Sequence, residues 1–566
     1  METSSVPPNV RVYGCELDAG AREQVIRLAQ TPFFSRQPVR IMPDCHAGKG
    51  CVIGFSAPYE GALIPSVIGV DIGCGMLVVR LGRVAEGDSA SLQAFLEKLD
   101  AIVHATVPAG AGGRLNAFGH PVFHENVDPH EFDAMLDALL PWLARLGEKS
   151  EDAITTAAAF RERFTTLQTL IGHSFSYQNL LQCCGTLGSG NHFLELDKDD
   201  TGELLLVVHT GSRGYGFSVA SAFMELAQLV TRTVLGLEGL EKARFDLRRP
   251  LHRLVVERLE AFRADKAETP WALRSDVEKQ AFFASRREEL KGSSEYAGLT
   301  TPEEQRRYLR TQLNRIREEL EERHNKEAFC PTEAQYDLGR IFGVDGSDKD
   351  HFEAIARYRK EVRTNPELSG LFSGLGAEEY LEAMGFVQLF ARLNRLVIAC
   401  NVYRDFYGLP DLYKNPEQLQ SFFERAYVTD CAHNYVELAT RMIRKGCIRA
   451  NVGDELIIPI NMRDGVIYAR GRGNDAWNCT APHGAGRVLS RQQARLQISL
   501  ERVKEQMKGI HTTCLRPEVV DEAPDAYKGL DQILPYIQET CDVLSHWHPL
   551  WNFKGLEVGV QARKKR

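Results

Sequence analysis

The sequence predicts an α+β fold, a mixed β-sheet core with surrounding helices and an enlarged helical insertion. Three observations predict it. Short apolar runs alternate with Gly and Pro up to about residue 80, and strands with Gly-rich turns return after Ile448. Between them, residues from about 225 to 365 are rich in Arg, Glu and Lys with helical periodicity. The unusual polar residues lie in the two Gly-rich regions, at the ends of apolar runs.

Taken in order, Val67-Ile68-Gly69-Val70 and Met76-Leu77-Val78-Val79 read as strands flanking a Gly-rich turn. Leu204 to Val208 reads as a buried strand ending at His209. In the helical region Val255, Leu259 and Phe262 share one helix face, and Leu309, Leu313, Ile316 and Leu320 share another. The charged run from Arg306 to Lys326 reads as a solvated helix face. Tyr380, Leu381, Met384 and Val387 again have helical spacing.

Of the 566 residues, 43% are hydrophobic and 25% charged, as expected of a soluble globular chain. No run of about eighteen apolar residues predicts a membrane span. Met1-Glu2-Thr3-Ser4-Ser5 lacks the pattern of a signal peptide, so the expected location is cytoplasmic. The 13 cysteines, with Cys183-Cys184 adjacent and no CxxC pair, read as reduced thiols. A net charge of -8 argues weakly against a nucleic-acid partner, but a local basic face can coexist with an acidic remainder. Arg441, Arg444, Lys445 and Arg449 form one basic cluster, and Arg470, Arg472, Arg487 and Arg491 a second. Arg563-Lys564-Lys565-Arg566 reads as a solvated tail.

Chemistry concentrates in five segments. Gly69 to Met76 carries Asp71 and Cys74 in a turn too glycine-rich for a helix. Alone, that pair reads as a structural turn. Gly188 to Phe193 carries Asn191 and His192, with Glu195 following. His209 ends a strand and opens a Gly/Ser-rich turn, and His433 stands in Ala432-His433-Asn434-Tyr435. Asp71, Cys74, His192, His209 and His433 supply one carboxylate, one thiolate and three imidazoles, a set suited to Mn²⁺, Zn²⁺ or Co²⁺. Five ligands exceed one tetrahedral ion, and a thiolate can bridge two. The last segment, Asn478 to Arg487, places small residues after His483, with Arg487 and Arg491 available to neutralise phosphate. A histidine so placed can be a nucleophile toward phosphorus.

Together these segments resemble the RtcB family of RNA-splicing ligases. The resemblance runs in order through Met42-Pro43-Asp44-Cys45-His46-Ala47-Gly48-Lys49-Gly50, Asp71-Ile72-Gly73-Cys74-Gly75, Gly185 to Phe193, His209 to Gly214, His433-Asn434, Arg444-Lys445-Gly446, His483 to Arg487, Asp521 to Lys528 and Lys554-Gly555. It implies an RtcB-like fold in one catalytic domain over residues 1–566, with the helical insertion at about 225–365. It implies metal ligation of two Mn²⁺ ions by Asp71, Cys74, His192, His209 and His433, with Cys74 shared, and attack on GTP by His483. Guanylate contacts are implied for Asn191, Glu195, Asn434, Pro459, Asn461, Gly484, Ala485, Gly486 and Lys554, and phosphate or RNA contacts for Arg213, Lys445, Arg487 and Arg491. The implied activity is GTP-dependent joining of RNA 3′-phosphate or 2′,3′-cyclic phosphate ends to 5′-hydroxyl ends by a monomer, in RNA repair or tRNA splicing. The alternative is capping of 3′-phosphate ends without joining. The chain departs from the family at Pro459-Ile460-Asn461-Met462-Arg463, where Pro-Gly-Ser-Met-Gly is usual, at Val466, where a serine is usual, and in its length beyond Gly555.

Overall fold

The computed structural model describes residues 6–14, 16–84, 88–109, 128–146, 153–172, 175–237, 245–264, 276–326, 339, 341 and 348–555. The basic Arg563-Lys564-Lys565-Arg566 run lies outside the described residues. Within them the architecture is mixed α/β. Its largest sheet has seven antiparallel strands, in the order Glu455–Asn461, Gly465–Gly471, Cys541–Lys554, Phe193–Lys198, Glu203–Thr210, Gly75–Arg83 and Tyr427–Ala432. The two edge strands approach each other, and Cys431 Sγ donates to the Ile457 carbonyl at 4.0 Å, so the sheet curls into a nearly closed barrel.

Both faces of this sheet are buried, which explains the near-continuous apolar runs. The two-residue period of a strand sends Leu77, Val79, Leu194, Leu196, Leu204, Leu206 and Val208 outward against helices. The alternate residues Met76, Val78, Leu205 and Val207 point inward with Ile457, Ile467 and Trp547. Each fully buried Leu, Val or Ile stabilises the fold by roughly 1.5–3 kcal/mol before entropy is counted.

A second sheet, in the order Val10–Val12, Val39–His46, Ile53–Pro58, Met442–Lys445 and Asn434–Glu437, stands beside the first. Its register slips between Ile41 and His46. The bulge frees Asp44 from regular pairing and turns its side chain toward the site described below.

The 31-residue helix Ala377–Tyr407 carries buried residues on every face, as a helix in the middle of a core must. It packs on the Gly75–Arg83 and Glu203–Thr210 strands and on the Ser89–Thr106 and Arg213–Val234 helices. By length and composition it also meets the requirement for a membrane span, although Gln388, Arg392, Asn394 and Arg395 interrupt its apolar run. With 78% of its most apolar window inside the protein, it is a core helix here.

Two expectations are corrected. Val67-Ile68-Gly69-Val70 is no strand: Pro65–Ile68 is a short helix, favoured by proline at its first position and ended by Gly69 at φ 92°. Beyond Ile448 the chain is not purely strands, because Arg491–Gln497, Leu500–Gln506 and Leu530–Thr540 are helices. The described parts of the charged region are largely helical, as expected, but their packing is uneven. Leu251, Val255 and Leu259 of Pro250–Ala264, and Phe352, Ile355 and Tyr358 of Lys349–Thr364, are fully or almost fully buried. Asp276–Lys291 has no buried residue and packs with Pro302–Lys326, where Arg317 lies 5.1 Å over the Phe283 ring.

Candidate active site

Strand pairing assembles the site at one end of the large sheet. His192 immediately precedes the Phe193–Lys198 strand, His209 lies near the end of Glu203–Thr210, Cys74 precedes Gly75–Arg83, and His433 follows Tyr427–Ala432. Those four strands are consecutive neighbours and antiparallel, so starts and ends alternate at the same edge. All five sequence-predicted metal ligands therefore meet. They form two groups, Asp71, Cys74 and His192 in one, Cys74, His209 and His433 in the other, each with donor atoms within 4.8 Å of one another. Cys74 Sγ lies 3.5 Å from His192 Nε2 and 3.4 Å from His209 Nε2. His209 Nε2 lies 3.3 Å from His433 Nε2, and His192 Nε2 lies 2.9 Å from Asp71 Oδ2.

The surroundings fit metal binding. His192 Nδ1 donates to the Leu187 carbonyl at 2.9 Å, which leaves the lone pair on Nε2, facing Asp71 and Cys74. Burial, with the neighbouring imidazoles, holds His209 and His433 well below the ordinary histidine range, so both are neutral donors. Burial opposes ionisation of Asp71, yet His192 and Arg213 outweigh it and hold the carboxyl well below its ordinary range. Burial, and then Asp71, push the Cys74 thiol well up; a bound cation would reverse that preference. The glycine after Thr210 has a steric cause, since a Cβ on Gly211 would lie 2.1 Å from Asp71 Oδ1. Two residues from the core helix fasten the turns. Arg395, fully buried, donates to the Gly73 carbonyl at 2.7 Å and the Thr210 carbonyl at 3.0 Å, and pairs with Asp430 at 2.8 Å. Asn394 Nδ2 donates to the Thr186 and Gly211 carbonyls, both at 3.1 Å.

His483 stands beside this cluster, its ring centroid 4.9 Å from that of His433. Asp44, from the bulge of the second sheet, accepts from His483 Nδ1 at 2.7 Å and from the His483 backbone N–H at 3.0 Å. Those contacts fix the ring and leave its lone pair on Nε2, where an imidazole can act as a nucleophile. Gly486, at φ 78°, allows the loop to close on that strand, because a Cβ there would lie 2.4 Å from the Asp44 carbonyl oxygen.

A cavity of about 310 Å³ connects His483 with Asp71, Cys74, His209 and His433. Asn191, Glu195, Asn434, Pro459, Asn461, Gly484, Ala485, Gly486 and Lys554 line it, as do Arg487 and Arg491. Arg213 and Lys445 are not among its lining. Arg213 packs against Gly188 and lies 3.3 Å from His192 Nδ1, while Lys445 Nζ donates to the Lys49 and Ser66 carbonyls at 2.9 and 3.1 Å. Arg444 is buried against Glu437, and Arg449 pairs with Glu437 and Asp454, so the first basic cluster is no basic face. Arg487 and Arg491 reach the cavity paired with Glu522, at 3.2 and 2.9 Å, and Lys554 shares that carboxylate at 2.9 Å. Asn461 turns inward on its own loop: its Oδ1 accepts from the Arg463 and Asp464 backbone N–H groups. Val466 is buried in its strand opposite Pro459.

The model of the tRNA-splicing ligase RtcB family matches residues 24–255 and 350–555, which is most of the chain. The chain belongs to the RtcB family. It is 25% identical to the RNA-splicing ligase RtcB of Escherichia coli K12 over 96% of both chains, and 26% identical to RtcB1 of a second Escherichia coli strain over the same shares. The tRNA-splicing ligase RtcB of Pyrobaculum aerophilum is 23% identical over 90% of this chain and 86% of its own. The RtcB match omits residues 256–349, the stretch that holds Asp276–Lys291.

Asp44 and Glu522 lie in the family-like segments, but the sequence alone assigns neither a role. Asp44 stood between a proline and two polar neighbours in a strand, where a carboxylate needs a partner; that signal was available. Asn394, Arg395 and Asn552, which lines the cavity, carry no such mark, because each is one polar residue among several in its helix or strand and nothing local distinguishes it.

Proposed function

We propose that this protein is an RNA ligase that joins 3′-phosphate or 2′,3′-cyclic phosphate ends to 5′-hydroxyl ends through a guanylylated His483, using GTP and two Mn²⁺ ions. The reading includes a single catalytic domain acting as a cytoplasmic monomer in RNA repair or tRNA splicing. One observation carries it: a histidine held at Nδ1 by a buried carboxylate shares a cavity with two ligand groups joined by one thiol. The names of the relatives supply the substrate class.

His483 Nε2 attacks the α-phosphorus of GTP; the N–P bond forms, the α–β bridging bond breaks, and pyrophosphate leaves with the electron pair. Asp44 keeps the Nδ1 proton and offsets the positive charge that develops on the ring. The RNA 3′-phosphate then attacks the same phosphorus, and His483 leaves as a neutral imidazole. Finally the 5′-hydroxyl attacks the activated 3′-phosphate, forms the phosphodiester and releases GMP. A cyclic phosphate is first opened by water to the 3′-phosphate. Asp71, Cys74, His192, His209 and His433 would hold the metal ions, which neutralise phosphate charge and activate the attacking oxygens. Arg487, Arg491 and Lys554 keep one end of the cavity cationic around the Glu522 carboxylate.

The test is incubation with α-labelled GTP and Mn²⁺, followed by mapping of the adduct. The proposal expects an acid-labile GMP on His483 and none on His483→Ala. Labelling elsewhere, or undiminished labelling of the variant, overturns it.

A further inference from the structure

Behind the cavity lies a second carboxyl that the chemistry above does not use. Strand alternation sends Phe193, Glu195 and Asp197 to the inner side of the barrel. Glu195 lines the cavity with Asn552 and Lys554, whereas Asp197 does not reach it. Asp197 is fully buried and neither of its oxygens has a donor among the described residues. The register places Pro549, which has no N–H, opposite it, and Asn552 opposite Glu195. Two adjoining carboxyls in such a place cannot both be ionised, so the pair holds a proton.

The environment decides where that proton sits. Glu195 Oε2 accepts from Asn552 Nδ2 at 2.8 Å, and the Lys554 ammonium acts on the same carboxyl. Asp197 has neither. Burial raises both groups, Glu195 to about 7 and Asp197 well above its ordinary range, with Glu195 adding to the rise at Asp197. The donors on Glu195 and their absence at Asp197 favour the proton on Asp197.

We propose that Asp197 is the positioning residue of the nucleotide-base end of this cavity: as a neutral acid it donates to Glu195 and so presents a Glu195 carboxylate to a base edge carrying two adjacent N–H donors, as guanine does and adenine does not. This rests on the GTP reading above. A carboxylate with two lone-pair sites left matches the guanine N1–H and amino group. Hypoxanthine offers one donor there and adenine offers an acceptor. Without the proton from Asp197, a lone buried Glu195 would take one up itself and lose that preference.

The experiment compares wild type, Asp197→Leu and Asp197→Asn in self-guanylylation, with GTP and inosine triphosphate varied at fixed Mn²⁺. Asp197→Leu should raise KM for GTP about tenfold while saturating kcat stays within about twofold, the loss expected of one buried hydrogen bond to a charged group. Its preference for GTP over inosine triphosphate should shrink. Asp197→Asn, whose amide still donates to Glu195, should restore the wild-type KM. An infrared band of a protonated carboxylic acid should be present in wild type and absent from Asp197→Asn, which keeps the proposal testable where the leucine variant does not fold. Wild-type KM in folded Asp197→Leu, equal losses with both nucleotides, failure of asparagine to rescue, or an acid band unchanged in Asp197→Asn overturns it. A wild type that takes no label from GTP instead overturns the function proposed above, and this assignment with it.

Discussion

Replacing Asp44 tests the proposed role of His483 as the nucleophile. Its carboxylate is fully buried and makes two contacts with one residue, the ring Nδ1 and the backbone N–H of His483. In Asp44→Asn an amide oxygen can accept both, so geometry survives and only the charge is lost. Hydrogen bonds to charged groups contribute about 1.5–3 kcal/mol against about 0.5–1.5 for neutral ones, a difference near 1.4 kcal/mol and thus about tenfold in rate. Asp44→Ala removes both contacts and frees the ring to rotate, which should cost about 3 kcal/mol, or more than about a hundredfold. The assay is the single-turnover rate of protein–GMP formation at saturating GTP and Mn²⁺, with folding checked by circular dichroism. The order wild type, asparagine, alanine is required. An alanine variant guanylylated at the wild-type rate would show that Asp44 does not hold the reacting histidine.

Three further outcomes follow from other parts of the structure. Cys74→Ala should lower bound Mn²⁺, measured by elemental analysis, and abolish guanylylation, because Cys74 belongs to both ligand groups; full metal content with full activity would dismiss the shared thiolate. Burial alone would raise Glu522, but Lys554, then Arg491 and Arg487, pull it from 4.5 to about 2. A depressed carboxyl stabilises the fold above its unfolded value and loses that contribution as pH falls toward the folded one. Glu522→Gln should therefore unfold at lower denaturant than wild type at pH 7, by up to about 3 kcal/mol, with the gap closing between about pH 5 and pH 2; a gap independent of pH refutes the linkage. Neutralising Arg306, Arg307, Arg310, Arg315 and Arg317, all exposed, should leave guanylylation intact while weakening joining of a long structured RNA and flattening its salt dependence. Arg315 pairs with Glu319 and Arg317 lies over Phe283, so unchanged ligation would mean that the helix face is merely solvated.

The convergence of Asp71, Cys74, His192, His209 and His433 was legible because each sits at or next to a strand end, and all but His433 stand beside glycines that mark a turn locally. The fold around it was less so. Val67-Ile68 is β-branched and reads as a strand, yet Pro65 starts a helical turn there. Arg444 and Lys445 read as a surface cluster by adjacency, although strand alternation sends them to opposite sides and both are buried. Arg395 and Asp197 were invisible for one reason: each is one of several charged residues in its element, and only tertiary packing reveals that its partner is a backbone carbonyl of the Gly69–Gly75 turn or a neighbouring carboxyl.

Incubation with an RNA pair bearing a labelled 3′-phosphate and a 5′-hydroxyl end, with GTP and Mn²⁺, tests the central claim most directly. The account predicts a joined product that carries the label in an internal phosphodiester, requires GTP, and disappears in His483→Ala. Accumulation of guanylate-capped 3′ ends without joining would contradict ligation in favour of end capping, and unchanged RNA would contradict both.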